Sequence, residues 1–480
     1  MRNVWKRWRN SWRFTSRNRS SAGRDTEQYV DLPKGEEVEG QMKEYRKRLY
    51  LSVLGMLISL TAGCQTSGSL SGEVKQTNAS LSIDVLKDEL IYWEPVIQEF
   101  QKRYPDVQVE ICSYSAEEMV ETASKRETEL MAGEGKDIYL SIESSGFDFY
   151  KVQQSGVFAD LYPFFQEESG FSEENYIAGM FDLFENEETC CMVPTQAIFS
   201  ACVTTKTINE EIPVPLNELE DYQDFVRDKM YFVKQYPDRK DLPAESDSGE
   251  YNARWGVDIQ DGQKSFEQLF QSDFWKMEQQ LTRHRRKSDS DTIPMDWAHM
   301  EEFQKNISGY MEKKRYMCLD AQVDLAFQLY CQLGGKDRAV IASVPDVSGN
   351  TVVYPAACVA VSQNSPNKEN AFRLLKIMLE EEFQKRNGGP VVKEYLTGEA
   401  WKDAYGQENL LIQGVACPGV DEETIDSLVG HFRNGTMAGG LLTSTKEKYS
   451  ECMEGYYAGE KPLEACAEEF LSYLNIYCSE

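Results

Sequence analysis

From residue 80 onward the apolar residues of this chain switch between two periods. Leu81, Ile83 and Val85 recur at every second position, the spacing of a strand. Val96, Ile97, Phe100 and Tyr104 then share one face at helical spacing, with Pro95 suited to the first turn and Tyr104-Pro105-Asp106 closing the helix. Val107, Val109 and Ile111 alternate as a second strand. A helical pattern over 116–132, a turn at 133–137 and a third strand over 138–142 follow. Strands alternating with helices predict an α/β fold with parallel sheets. Later, 264–318 reads as mostly helical with a polar break at 283–292, and Val352–Val361 as a strand. Ser365 and Pro366 are expected to open the next helix as N-cap and first helical residue, with Ala371, Leu374, Leu375 and Met378 on its apolar face. Leu463, Cys466, Phe470 and Leu474 mark a last helix. Residues 236–250 are polar and Pro-containing, a surface loop; 65–79 are rich in Ser, Gly, Thr and Asn and read as a flexible tether. No internal repeat is found.

Ahead of the tether the pattern changes. Tyr45-Arg46-Lys47-Arg48 precedes an apolar run, LSVLGMLISLTAGC, over 51–64. Basic, then apolar, then small residues is the order of a secretory signal, and the run is shorter than the roughly 20 residues of a membrane-spanning helix. Cys64 directly after Ala62 and Gly63 resembles the lipobox of bacterial lipoproteins. That resemblance implies a mature chain beginning at a lipidated Cys64, on the outer face of the cell membrane. Stable anchoring of this kind takes at least two acyl chains. Residues 1–41 form a basic, aromatic extension unusual before a signal, whereas Met42 opens MKEYRKRLYLSVLGML, so translation is expected to begin at Met42. The alternative is a basic arm that contacts nucleic acid or lipid.

Charge sharpens this. Residues 1–63 hold 13 of the 51 basic and 7 of the 80 acidic residues, leaving 38 and 73, a net of −35 over 64–480. Nucleic-acid binding needs a basic footprint and is excluded for that part. Besides Cys64 there are eleven cysteines, an odd number with neither CxxC nor zinc spacing. Cys358 and Cys466 read as core thiols, and one or two disulfides elsewhere suit an exported chain. The three histidines do not form HExxH, and neither GxSxG nor a Walker motif is present.

Four segments carry a family resemblance. They are the strand and helix ending in YPDVQVEI; MAGEGKDIYLSI followed by QSGVFADLYPF; Cys191-Met192-Val193-Pro194; and VAVSQNSPNKENAFRLLKIMLEEEFQ followed by GGPVVKEYL. Together they resemble extracellular solute-binding protein family 1, the receptors of carbohydrate-type ABC importers, and are similar to the maltodextrin-binding proteins. The match spans most of 80–395 and is weak over 203–316. Lys136 stands where the family has Pro, and Ser141 where many relatives carry an aromatic residue.

The resemblance implies an α/β, two-lobed periplasmic-binding-protein-like fold of type II, with a hinge of two or three crossings. Lobe 1 would be 80–193 plus 357–390, and lobe 2 would be 194–356 plus 391–480. It implies capture of a small-molecule solute, a sugar or oligosaccharide, in the cleft and delivery to the transmembrane permease subunits of an ABC importer, with no catalysis, cofactor or metal. Carried over residue by residue, Lys87 and Asp88 follow the first strand; Ser141, Glu143, Ser144 and Ser145 follow the third; Asp320 reaches the cleft from lobe 2; Tyr354 and Pro355 lie near the second crossing. Trp255, Trp275 and Trp297 are candidate stacking faces. Each has a plainer reading: Asp88 as a helix cap, Ser144 and Ser145 as turn residues, each Trp as core. Two other functions fit the same sequence, a ligand-sensing lipoprotein partner of a membrane kinase and a glycoside-acting enzyme with a hidden carboxylate pair.

Overall fold

The computed structural model describes residues 80–479 apart from 141–145, 148, 183–184, 187–188, 237–252, 258–262, 289–308, 310–316, 387–388, 409, 413–414 and 439–442. The signal-like run, Cys64 and the tether lie outside the described residues. The main sheet is built from β1 (Ser80–Leu86), β2 (Gln108–Tyr114), β3 (Ile138–Leu140), β4 (Met192–Thr205), β5 (Leu319–Gln322), β6 (Ala339–Ala342), β7 (Val352–Val361) and β8 (Thr436–Met437). Its order is β2-β1-β3-β7-β4-β5, with β8 on β7 and β6 on β4. β1 runs parallel to β2 and β3, the expected βαβ arrangement. β7 arrives late in the chain and inserts antiparallel between β3 and β4.

β4 and β7 join the two ends of this sheet. The first part of β4, Met192 to Phe199, pairs with β7, through a bulge around Thr195–Ala197. Its last part, Ser200 to Thr205, is flanked instead by β5 and β6. β7 starts against β8 at Val352 and Val353 and ends against β3 at Val359 to Val361. Both strands are mostly buried; β7 is almost wholly apolar, whereas β4 carries Thr195, Gln196, Ser200, Thr204 and Thr205 among its apolar residues.

The helices used below are α1 (Leu90–Arg103), α2 (Ala116–Met131), α3 (Tyr222–Gln235), α4 (Gln263–Gln271), α5 (Asp273–Ser288), α6 (Val323–Gln332), α7 (Lys368–Met378), α8 (Glu422–Asn434), α9 (Thr443–Ala458) and α10 (Leu463–Tyr477). α1 and α7 cover one face of the parallel strands, burying Val96, Ile97, Phe100, Ala371, Leu374, Leu375 and Met378 against Leu81, Ile83 and Val85. α2 covers the other face, where Tyr139, Phe147 and Phe158 pack edge to face. In the second half, α4, α5, α9 and α10 enclose an aromatic core. Phe270 lies 4.5 Å from Trp275, Tyr449 lies 5.2 Å from Phe470, and Trp275 Nε1 donates to the Tyr449 hydroxyl at 3.1 Å. Among the described residues no helix is long and apolar enough to cross a membrane.

Several local expectations are corrected. Pro95 is interior to α1, because the helix already begins at Leu90 after a tight turn at Lys87–Glu89. The Ile91 carbonyl that Pro95 cannot satisfy belongs to a residue 54% exposed, so the missing N–H falls on the solvent side of the helix. Ile111 is 42% exposed, since β2 is an edge strand. The helix after Ser365 starts at Lys368 with Asn367 as N-cap. The Ser365 hydroxyl is engaged elsewhere, donating to Asp137 at 2.6 Å and accepting from the Asn367 N–H. α5 continues through the expected break at 283 to Ser288. The eleven cysteines at 112 and beyond are all free thiols, so no disulfide forms among them.

Asp228 on α3 is fully buried; one carboxylate oxygen accepts from the Val214 N–H at 3.2 Å and the other has no partner among the described residues. Burial pushes its pKa up to about 7, from 3.8 for a free side chain. Between those values the folded chain holds a proton that the unfolded chain has released, so stability falls as pH rises from about 4 to 7. Asp228→Asn removes this titration. Its stability relative to the parent is expected to improve by at least about 1 kcal/mol between pH 4.5 and 7.5, read by urea unfolding at both. An unchanged difference would mean that Asp228 is ionised throughout.

Candidate functional site

In open α/β sheets ligands bind beyond the carboxyl ends of the strands. Here that edge includes the turn after β1, the loop after β3 and the nearby parts of β4 and β7. Lys87 and Asp88 occupy the turn and are exposed, with the Lys87 N–H tied to the Tyr114 carbonyl at 2.7 Å. Ser141, Glu143, Ser144 and Ser145 lie outside the described residues, as does Trp297.

Beneath this turn, Asp84 of β1 meets Arg126 of α2, with guanidinium nitrogens at 3.1 and 3.2 Å from the two carboxylate oxygens. Both side chains are buried, and Arg126 lies 4.8 Å from the Tyr114 ring centroid and 4.7 Å from that of Phe147. Burial pushes Asp84 up to about 6, against the guanidinium, which holds it down. This pair fixes the strand end from which Lys87 and Asp88 project.

The other nominated residues converge on the far part of β4. Strand pairing places Tyr354 opposite Ile198, and Asp320 opposite Cys202. Alternation along β4 puts Ile198, Ser200 and Cys202 on one face, together with Tyr354 and Asp320. Arg254 packs against this face, almost fully buried, and its Nη1 forms an ion pair with Asp320 Oδ2. Burial disfavours the charged guanidinium, but the Asp320 carboxylate overrides it and the Tyr354 hydroxyl lies close enough to add to that effect, so Arg254 holds its proton more tightly than a free arginine. Trp255, the next residue, is buried with its Nε1 donating to Glu278 at 2.7 Å and its ring 5.5 Å from Tyr449. Trp275 belongs to the aromatic core already described.

Thus Asp320 and Tyr354, far apart in sequence, gather around Arg254, which sequence reasoning missed, whereas the Trp255 side chain packs with Tyr449 and Glu278 in the core. Ser200 was missed too. Its hydroxyl and Asp320 Oδ1 are buried and have no hydrogen-bond partner among the described residues. Buried polar atoms are nearly always satisfied, by protein, water or ligand. Chemically the face offers a carboxylate acceptor and two hydroxyls beside an apolar flank of Ile198, Ala253 and Val352. These groups can pair with the hydroxyls of a polyhydroxylated molecule, and all of them are buried in the described conformation. Among the described residues no group of His, Cys, Asp and Glu is arranged to hold a metal ion.

No protein-family model matches the chain, and no curated protein matches it in sequence. Solved structures do match in fold. The sugar-binding protein MalE from the phytopathogen Xanthomonas citri superposes with a TM-score of 0.56 at 12% identity, over 84% of this chain and 98% of that one. A protein described as extracellular solute-binding protein family 1 superposes with a TM-score of 0.55 at 13% identity, over 83% and 100%. An ABC substrate-binding protein from Listeria monocytogenes, in complex with cycloalternan, superposes with a TM-score of 0.51 at 13% identity, over 84% and 99%. These structures are matched along their whole length. The chain therefore has the two-lobed α/β fold of the extracellular solute-binding proteins.

Proposed function

We propose that this chain is a lipid-anchored extracellular receptor that captures a sugar or oligosaccharide between two lobes and delivers it to the membrane permease of an ABC importer. The observation that carries this reading is the pair of long strands, β4 and β7, which run from one end of the sheet to the other. Two strands shared in this way are a hinge, and closure about a hinge is a common way of enclosing a ligand. The lobes are 80–193 plus 357–390 and 194–356 plus 391–480. Lys87 and Asp88 face the ligand from the first; Ser200, Arg254, Asp320 and Tyr354 face it from the second. Supporting the sugar class are fold relatives that are a sugar-binding protein and a cycloalternan complex. The protein performs no covalent chemistry; ligand shifts the population from an open to a closed conformer.

The test is thermal shift of residues 66–480 against mono- and oligosaccharides, with amino acids, peptides and polyamines alongside. A ligand at 100 times its dissociation constant adds about 2.7 kcal/mol. A sugar is expected to give that rise, and Asp320→Asn to reduce it. A hit confined to another ligand class would overturn the sugar assignment, and hydrolysis of a glycoside by the purified chain would overturn the receptor reading.

A further inference from the structure

A cavity of about 590 Å³ that shares no lining residue with the face just described is bounded by the segment 174–176, the end of α7, the segment 392–395 and the last turn of α8. Its walls hang on both long strands. On one side Tyr176 bridges to Val392, and the Gln384 side chain accepts from the Val391 N–H while donating to the Thr195 carbonyl at the bulge of β4. On the other, Ala178 bridges to Thr436, which pairs with Val352 of β7. Arg433 of α8 is held by a bond from Nη2 to the Leu396 carbonyl, while its buried Nε has no partner among the described residues. Lys393, also in the lining, makes no ion pair among the described residues.

From this geometry we propose a second ligand site, for a neutral polyhydroxylated molecule of the saccharide class, in this cavity. Its volume lies within the range of small-molecule sites. The charges of Glu174 and Glu394 offset those of Lys393 and Arg433, so the lining favours no net charge. It does supply acceptors and donors side by side, and a sugar hydroxyl donates and accepts at once. The amide of Asn175 and the phenols of Tyr176 and Tyr395 add to both sets. Because its walls are tied to β4 and β7, an occupant there fixes the segments that flank the hinge. That consequence, though not the site itself, rests on the two-lobe reading above.

The experiment is hydrogen exchange of residues 66–480 with glucose, maltose and sucrose, each titrated to 10 mM, and with sodium phosphate as an anionic probe. Amides of 176–178 and 391–396 report the cavity; those of Lys87, Asp88 and Tyr354 report the face between the lobes. At least one sugar is expected to slow exchange at 391–396, and Lys393→Met and Arg433→Leu to raise the concentration required about tenfold. Lys393→Met is informative even if Arg433→Leu folds poorly, since the Lys393 bond to the Leu396 N–H is made by its backbone carbonyl, which the substitution keeps. Protection by phosphate alone, protection equal in parent and both variants, or no protection at 391–396 overturns the proposal. Protection at Lys87 and Tyr354 without 391–396 rejects this site and leaves the importer reading standing; the converse rejects the cleft assignment and keeps this one.

Discussion

Arg126→Met is expected to lose about 3–5 kcal/mol of unfolding free energy at pH 8, the usual cost of removing one partner of a buried ion pair. Asp84 is 2% exposed and Arg126 4% exposed, so solvent cannot replace the lost contact. The variant keeps a carboxyl group in a pocket formed by Tyr114, Tyr139 and Phe147, and the group can escape the penalty only by taking up a proton. In the parent its pKa is already about 6, raised by burial despite the guanidinium. Without Arg126 it rises further. The folded variant is therefore protonated where the parent's carboxylate is ionised, and its deficit relative to the parent grows as pH climbs from about 6, the parent's value, toward the new pKa. Urea unfolding at pH 5 and pH 8 should give a smaller loss at the lower value. Asp84→Leu with Arg126→Met should recover most of the stability, because an apolar pair of similar volume leaves no charge stranded. A single variant within 1 kcal/mol of the parent at pH 8 would show that the pair is not the anchor of β1 and α2.

The motifs that made the fold legible have a structural task. Asp137, from GEGKD, accepts from the Ser82 N–H at 2.7 Å and from its hydroxyl at 2.8 Å on β1. Ser365 and Asn367, from NSPNKE, reach the same carboxylate from the start of α7 at 2.6 and 3.3 Å. One buried Asp thus welds the first strand, the third strand and the helix that follows β7, which is why these short segments are so informative about architecture. The Ser365 cap was misplaced for the same reason: its hydroxyl is bound to Asp137 and not to the helix. Arg254, by contrast, leaves no local trace. Its partner Asp320 is 66 residues away, no periodicity links the two, and an arginine in a polar stretch reads as surface. The register that sets Asp320 opposite Cys202 and Tyr354 opposite Ile198 is equally non-local, so the gathering of these residues on one face is visible only in the fold.

The second large effect concerns Gly389, in the GGPVV segment. Its carbonyl accepts from the Ala197 N–H at 2.8 Å, at the bulge within the part of β4 that pairs with β7. A Cβ at Gly389 would lie 1.9 Å from the Ala197 carbonyl oxygen and 3.0 Å from its carbon. The obstacle is backbone, which cannot swing aside as a flexible side chain would. Gly389→Ala must therefore push the 389–392 segment off β4 or shift the bulge, and overpacking of this severity is expected to cost about 3 kcal/mol or more. Gly430→Ala is the matched control: it lies within α8, its Cβ would meet nothing within 4 Å, and Ala there should stabilise by up to about 1 kcal/mol. Both are read by urea unfolding, and Gly389→Ala also by thermal shift with whichever sugar binds the parent. Because Ala197 sits on a strand shared by both ends of the sheet, the displaced segment should change ligand affinity as well as stability, whereas a purely local packing defect would change stability alone. A Gly389→Ala chain that unfolds like its parent would mean that the segment does not rest on β4.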